Sequence, residues 1–161
     1  MGKSAYIKMV DGSKKQSLTI DDLKQILHQF VERAKRNGQQ LGWPYELAAF
    51  PYEIKQKPEA RDWFYLKGKE RNYRYIIFGV QTERVEVRKE VPKTGGEKGE
   101  KETIVQQVER STIQVVLPDG HTQGDSNKAS ELCKFIAKQL DAELILFNGR
   151  ILYPEMTKPS L

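Results

Sequence analysis

Apolar positions along this chain follow two periods, and the change from one to the other predicts its elements. Ile20, Leu23, Ile26, Leu27, Phe30, Val31 and Ala34 recur at steps of three and four, the stripe of an amphipathic helix over about 20–37. Thr19 suits its N-cap, Asp21 and Asp22 complement the helix dipole in the first turn, and Gly38 suits the position after the last turn. Ala129, Leu132, Cys133, Ile136, Ala137 and Leu140 predict a second helix over about 127–140.

Elsewhere apolar and polar residues alternate. Strands are predicted at about 4–10, 63–67 and 73–80, and Val85, Val87 and Val91 among charged neighbours predict a further strand with one wet face. Pro44 suits a short helical turn through "PYELAAF", and "KQKPEARD" reads as loop. "PKTGGEKGEKE" at 92–102 has no apolar residue and predicts a mobile loop. After it, Ile104 and Val108 share one parity while Ile113, Val115 and Leu117 share the other, which predicts a bulge near Glu109–Thr112. Asn148-Gly149 inside "ELILFNGRILY" predicts a closing hairpin with a type I′ turn. The order is β-α-β-β-β-β-α-β-β: an α+β chain with a mainly antiparallel sheet and two amphipathic helices, expected as a single domain over 1–161.

"SAYIKMV", "QQLGWPYELAAFPYEI", "FYLKG" and "YIIFGV" resemble segments of a small uncharacterised family of bacilli. The resemblance covers most of the chain and implies a compact bacterial α+β domain with no assigned activity. These stretches are packing segments, so the resemblance supplies no site residues.

Composition narrows the class. An apolar fraction of 38% beside a charged fraction of 30% gives a very polar surface around a periodic core, not global disorder. The single cysteine, Cys133, cannot form an intramolecular disulfide, and its stripe predicts a buried thiol. The N-terminus lacks the apolar region of a signal peptide, and no apolar run approaches the ~18 residues of a membrane span. A cytoplasmic location is expected. The net charge of +5 is uneven: residues 1–42 carry +4, and 119–161 carry −1. That excess hints at a polyanionic partner.

"PDGHTQGDSNKASEL", 118–132, comes closest to a chemical motif. It is not a Walker loop, because Asp125 stands where the second glycine belongs and Lys128 arrives too late. Nor is it a calcium loop, since Ser130 occupies the twelfth position. Asp125, Ser126 and Asn127 are all competent caps, so the expected role is a helix start, with His121 and Lys128 solvated. An anion site using His121 and Lys128 is the alternative. A catalytic use of His121, Asp125 and Lys128 would need Cys133 within reach, which its stripe opposes. With two histidines and one cysteine, no metal site and no cofactor is expected.

Ten aromatic residues between Trp43 and Phe78 interleave with Lys and Arg. If Tyr65, Tyr73 and Tyr75 share an exposed face, they form a stacking platform. Single-stranded nucleic acid would then bind through Trp63, Tyr65, Tyr73, Arg74 and Tyr75. If not, the rings are core. The ribbon expected from 83–91 and 103–112 has balanced charge, which suits self-association better than DNA grasping. The leading expectation is a non-enzymatic domain that binds or scaffolds through protein contacts, with a homodimer as one form. Single-stranded nucleic-acid binding is the alternative, and no membrane partner is expected.

Overall fold

The computed structural model describes residues 2–41, 49–92 and 99–154. Strand β1 (Lys3–Lys8) leads into helix α1 (Ile20–Leu41), followed by β2 (Tyr52–Lys55), β3 (Trp63–Gly68), β4 (Tyr75–Pro92) and β5 (Lys101–Leu117). Helix α2 (Gln123–Leu140) and the short strands β6 (Glu143–Ile145) and β7 (Ile151–Leu152) close the chain. The strands form one sheet of order β2-β3-β4-β5-β1-β6-β7, and every pairing is antiparallel. The fold is α+β, with the predicted order of elements.

Both helices lie on one face of this sheet. From α1, Leu23 and Leu27 meet Ala5 and Ile7 of β1, Phe64 and Leu66 of β3, Ile76 and Phe78 of β4, and Ile113, Val115 and Leu117 of β5 in one buried cluster. From α2, Leu132, Cys133 and Ile136 join it. Burying each large side chain in that layer stabilises the fold by roughly 1.5–3 kcal/mol. Helix α1 begins as predicted at Thr19: the Asp22 N–H donates to its hydroxyl, and its own N–H donates to the Asp22 carboxylate. This is a reciprocal capping box. That backbone donor, helped by Lys15, holds the Asp22 carboxyl below its ordinary range.

Several boundaries differ from expectation. Helix α1 runs through Gly38 to Leu41, so Gly38 does not terminate it. Of the two strands expected at 73–80 and 85–91, residues 75–80 and 85–91 belong to one continuous strand, β4, while Tyr73 and Arg74 precede it, and β2 is a strand that periodicity did not show. The expected helical turn from Pro44 falls mainly on 42–48, outside the described residues. Likewise 93–98 of the expected loop lie outside them, while Pro92, Lys101 and Glu102 are ladder residues.

The predicted bulge is absent. From Ile77↔Val116 to Pro92↔Lys101 the register of β4 and β5 never slips. The parity argument assumed one covered face along the whole strand, and that assumption fails. Position 111 still faces the helices, but it holds a serine. The buried Ser111 hydroxyl accepts from the Leu18 N–H at 3.0 Å and lies 2.7 Å from the Thr82 hydroxyl. Beyond this pair no described strand flanks the ribbon, and Val85, Val87, Val91 and Val108 fall on its other face.

The hairpin of β6 and β7 is present but its turn is not type I′. Gly149 has a φ of 85° and Asn148 is not in the left-handed region. The Gly149 N–H donates to the Leu146 carbonyl, and the Leu146 N–H to that of Arg150. This is the three-residue pattern that ends in a glycine bulge.

Candidate functional site

Two places collect the residues singled out by sequence: the start of α2 and the open face of the sheet. At the first, the helix begins earlier than predicted. Thr122 is the N-cap, and Asp125 occupies the third helical position, where its carboxylate accepts from the Thr122 N–H while its own N–H donates to the Thr122 hydroxyl. None of Asp125, Ser126 and Asn127 is the cap.

Asp125 does more than close a capping box. It is fully buried, and besides Thr122 it accepts from the Tyr52 hydroxyl at 2.6 Å and from the Arg74 N–H at 3.0 and 3.2 Å. All of these are donor groups, so a buried carboxylate here is satisfied on every side. Burial first, and then the bond to Asp125, push the Tyr52 phenol far above its ordinary range. The Thr122 hydroxyl also donates to the Asn72 carbonyl, and the Arg74 guanidinium to that of Gly120. Gly124 completes the seat: a Cβ there would stand 2.8 Å from the Asn72 carbonyl oxygen and 3.0 Å from the Tyr73 ring. The start of α2 is thus a dock for β2 and for the 69–74 turn.

His121 and Lys128, expected to be solvated and named for the anion alternative, are half-buried. The His121 Nδ1 lies 2.9 Å from the Pro118 carbonyl oxygen. The Lys128 ammonium pairs with Glu131 at 2.8 Å, and its side chain is only 11% exposed. Cys133 sits in the core cluster, where burial pushes its thiol up to about 12. Each residue of the catalytic alternative therefore answers to a different neighbour. Among the described residues no three His, Cys, Asp or Glu side chains gather as metal ligands do.

The second place is the sheet face turned away from the helices. In β3, Phe64 and Leu66 point to the core, so Trp63, Tyr65 and Lys67 point outward; in β4, Ile76 and Phe78 point inward and Tyr75, Ile77 and Gly79 outward. The register sets Trp63 opposite Gly79, Tyr65 opposite Ile77 and Lys67 opposite Tyr75. Ring centroids stand 6.3 Å apart for Trp63 and Tyr65 and 6.0 Å for Tyr65 and Tyr75, with the planes tilted by 34° and 58°. Tyr75 is 42% exposed. Pairing carries the face onward through Val116 of β5, Tyr6 of β1 and Ile145 of β6, all half-buried. No described helix covers it.

The condition for a stacking platform, with Tyr65, Tyr73 and Tyr75 on this one face, is not met. Trp63, Tyr65 and Tyr75 come together on it. Tyr73 does not: it lies beyond the strand, edge-on to Tyr52 at 5.4 Å and against Gly124. Arg74 is likewise turned to the start of α2. Phe50, Tyr52, Phe64 and Phe78 are core, and Trp43 and Tyr45 lie outside the described residues. Tyr6, Ile77, Val116 and Ile145 were missed. The alternation in "SAYIKMV" already places Tyr6 opposite in sense to Ala5 and Ile7.

A protein-family profile described as "Domain of unknown function (DUF1885)" matches residues 3–156. A solved structure described as a protein of unknown function from Bacillus stearothermophilus is 35% identical. That match covers 91% of this chain and 94% of that chain, with a TM-score of 0.47. Among curated proteins nothing matches. The resemblance to an uncharacterised family agrees with the family match. Among the described residues no helix is long and apolar enough to cross a membrane.

Proposed function

The chain belongs to the family described as a domain of unknown function (DUF1885), and we propose that it works as a non-enzymatic binding domain whose open sheet face docks a protein partner. One observation carries this reading: Trp63, Tyr65 and Tyr75 stand in a contiguous row on a face that no described helix covers. Trp and Tyr are the side chains in which protein interfaces concentrate their affinity, when they lie centrally and a polar rim excludes water. Here the centre is aromatic and aliphatic, and Glu53, Lys55, Lys67, Lys8 and Glu143 share the same face around it.

Nucleic acid is the second reading, favoured by Lys55 and Lys67 as cross-strand neighbours of Tyr65 and Tyr75. Two features weigh against it. The rings lean on one another at tilts that leave little flat area for a base, and the surrounding charge is of mixed sign, with Lys55 paired to Glu53 at 3.3 Å.

Affinity capture with the intact chain and with a Trp63→Ser, Tyr75→Ser variant tests the proposal. Both substitutions lie on the uncovered face, so the variant should fold, as circular dichroism checks. A partner retained by the wild-type chain and lost from the variant is expected. The same proteins on both baits would overturn it. Salt-sensitive quenching of tryptophan fluorescence by a poly-dT oligonucleotide, lost in the same variant, would transfer the face to nucleic acid.

A further inference from the structure

At the far end of the sheet from β2, a cleft of about 620 Å³ opens between the C-terminal half of α2, the loop after β1 and the β6–β7 hairpin. Lys134 and Lys138 line it from the helix, Lys14 from the loop and Arg150 from the hairpin, and among the described lining residues Asp141 is the one carboxylate. Its remaining wall is apolar, with Ile151 and Tyr153 at 42% and 57% exposure. We propose that this cleft binds a small phosphate ester, its phosphate held by the four cations and its flat or apolar body laid on Ile151 and Tyr153.

The charge is not generic surface basicity. Residues 119–161 carry a net charge of −1, yet three of their five cations line this one cleft. Lys134 and Lys138 alone have a simpler explanation, since the C-terminal half of a helix favours cations. Lys14 and Arg150 lie on other elements, and that explanation does not reach them. Among the described residues no ion pair joins any of the four cleft cations to a carboxylate, so all four are free to meet an anion. Four cations drawn from three segments leave this cleft net positive among its described lining residues, and a dianion seated there would be met by charge-assisted hydrogen bonds. The volume lies in the ~300–1,000 Å³ range of small-molecule sites, and the mixture of an apolar wall with a few convergent polar groups is typical of them.

Titration calorimetry of the intact chain at low salt tests the proposal, with ATP as the phosphate ester, adenosine as the body alone and inorganic pyrophosphate as the charge alone. ATP should bind, pyrophosphate at least tenfold more weakly, and adenosine not detectably. ATP affinity should fall at least tenfold in Lys14→Gln, Arg150→Gln and should be unchanged in Lys35→Gln, a control on α1. Sedimentation with phosphatidylglycerol vesicles, against phosphatidylcholine vesicles, asks whether the phosphate belongs to a lipid. Binding to the anionic vesicles alone, lost in the double variant, supports the same cleft with a headgroup as its ligand. Absence of binding to both ATP and anionic vesicles overturns the proposal, as does binding that survives in the double variant.

Discussion

Asp125→Ala should be far more damaging than the loss of an ordinary cap residue. The carboxylate accepts from the Tyr52 hydroxyl, the Arg74 N–H and the Thr122 N–H, and it is fully buried. A hydrogen bond to a charged group contributes about 1.5–3 kcal/mol, and a buried donor left without a partner costs a similar amount. The Tyr52 side chain is fully buried, so its hydroxyl has no water to turn to, whereas Arg74 and Thr122 are partly exposed and their amides can recover some solvation. The sum is therefore nearer two lost bonds than three, about 3–5 kcal/mol, or roughly 10 °C in melting temperature for a chain of this size. Asp125→Asn should be intermediate, because its amide NH₂ must face at least one of the donors. Tyr52→Phe should cost about 1–3 kcal/mol, and combined with Asp125→Ala it should add little. Urea unfolding followed by circular dichroism reads all four variants. A cost of ~1 kcal/mol for Asp125→Ala, the size of a plain capping loss, would refute the network.

Burial raises the Cys133 thiol from 9.0 to about 12 in the fold, so its contribution is fully present below pH 9 and is lost between pH 9 and 12 as the unfolded chain ionises first. Cys133→Ala should thus be less stable than wild type by about 1 kcal/mol at pH 8 and more stable by pH 11, as urea midpoints across that range will show. The same burial predicts that a thiol reagent labels Cys133 only at the rate of opening, so fast labelling of the native chain would contradict its place in the core. Gly124→Ala should destabilise by about 1–3 kcal/mol despite alanine's better helix propensity, because the new methyl meets the Asn72 carbonyl and the Tyr73 ring. A variant as stable as wild type in thermal unfolding would show that the 69–74 turn can yield.

What sequence made legible follows from range. The stripes of α1 and α2 and the alternation of β1, β3 and β4 are local periodicities, and each element appears where its period runs. The start of α2 was misplaced because Gln123 to Asn127 carry no apolar rhythm, although Thr122 and Asp125 have the spacing of a capping box. Asp125 could not be read at all: its partners Tyr52 and Arg74 are 73 and 51 residues away. The four residues of β2 are too short to show a period, and only pairing with β3 reveals them. Tyr73 and Tyr75 share a parity but not a face, because β4 begins at Tyr75 and Tyr73 is still in the turn. Open-face membership, the property on which the functional reading depends, needs both the register and the side on which the helices pack.

The most direct test of the open face is site-specific photocrosslinking in living cells. A benzophenone amino acid at position 63 or 75 would sit within the aromatic row, whereas one at the exposed positions of Lys35 or Glu131 would sit on the solvent side of the helices. Irradiation should give a discrete higher-mass adduct with a protein from positions 63 and 75 and none from 35 or 131. Equal adducts from all four positions, or none from the sheet face, would contradict the claim that this face is where the domain binds.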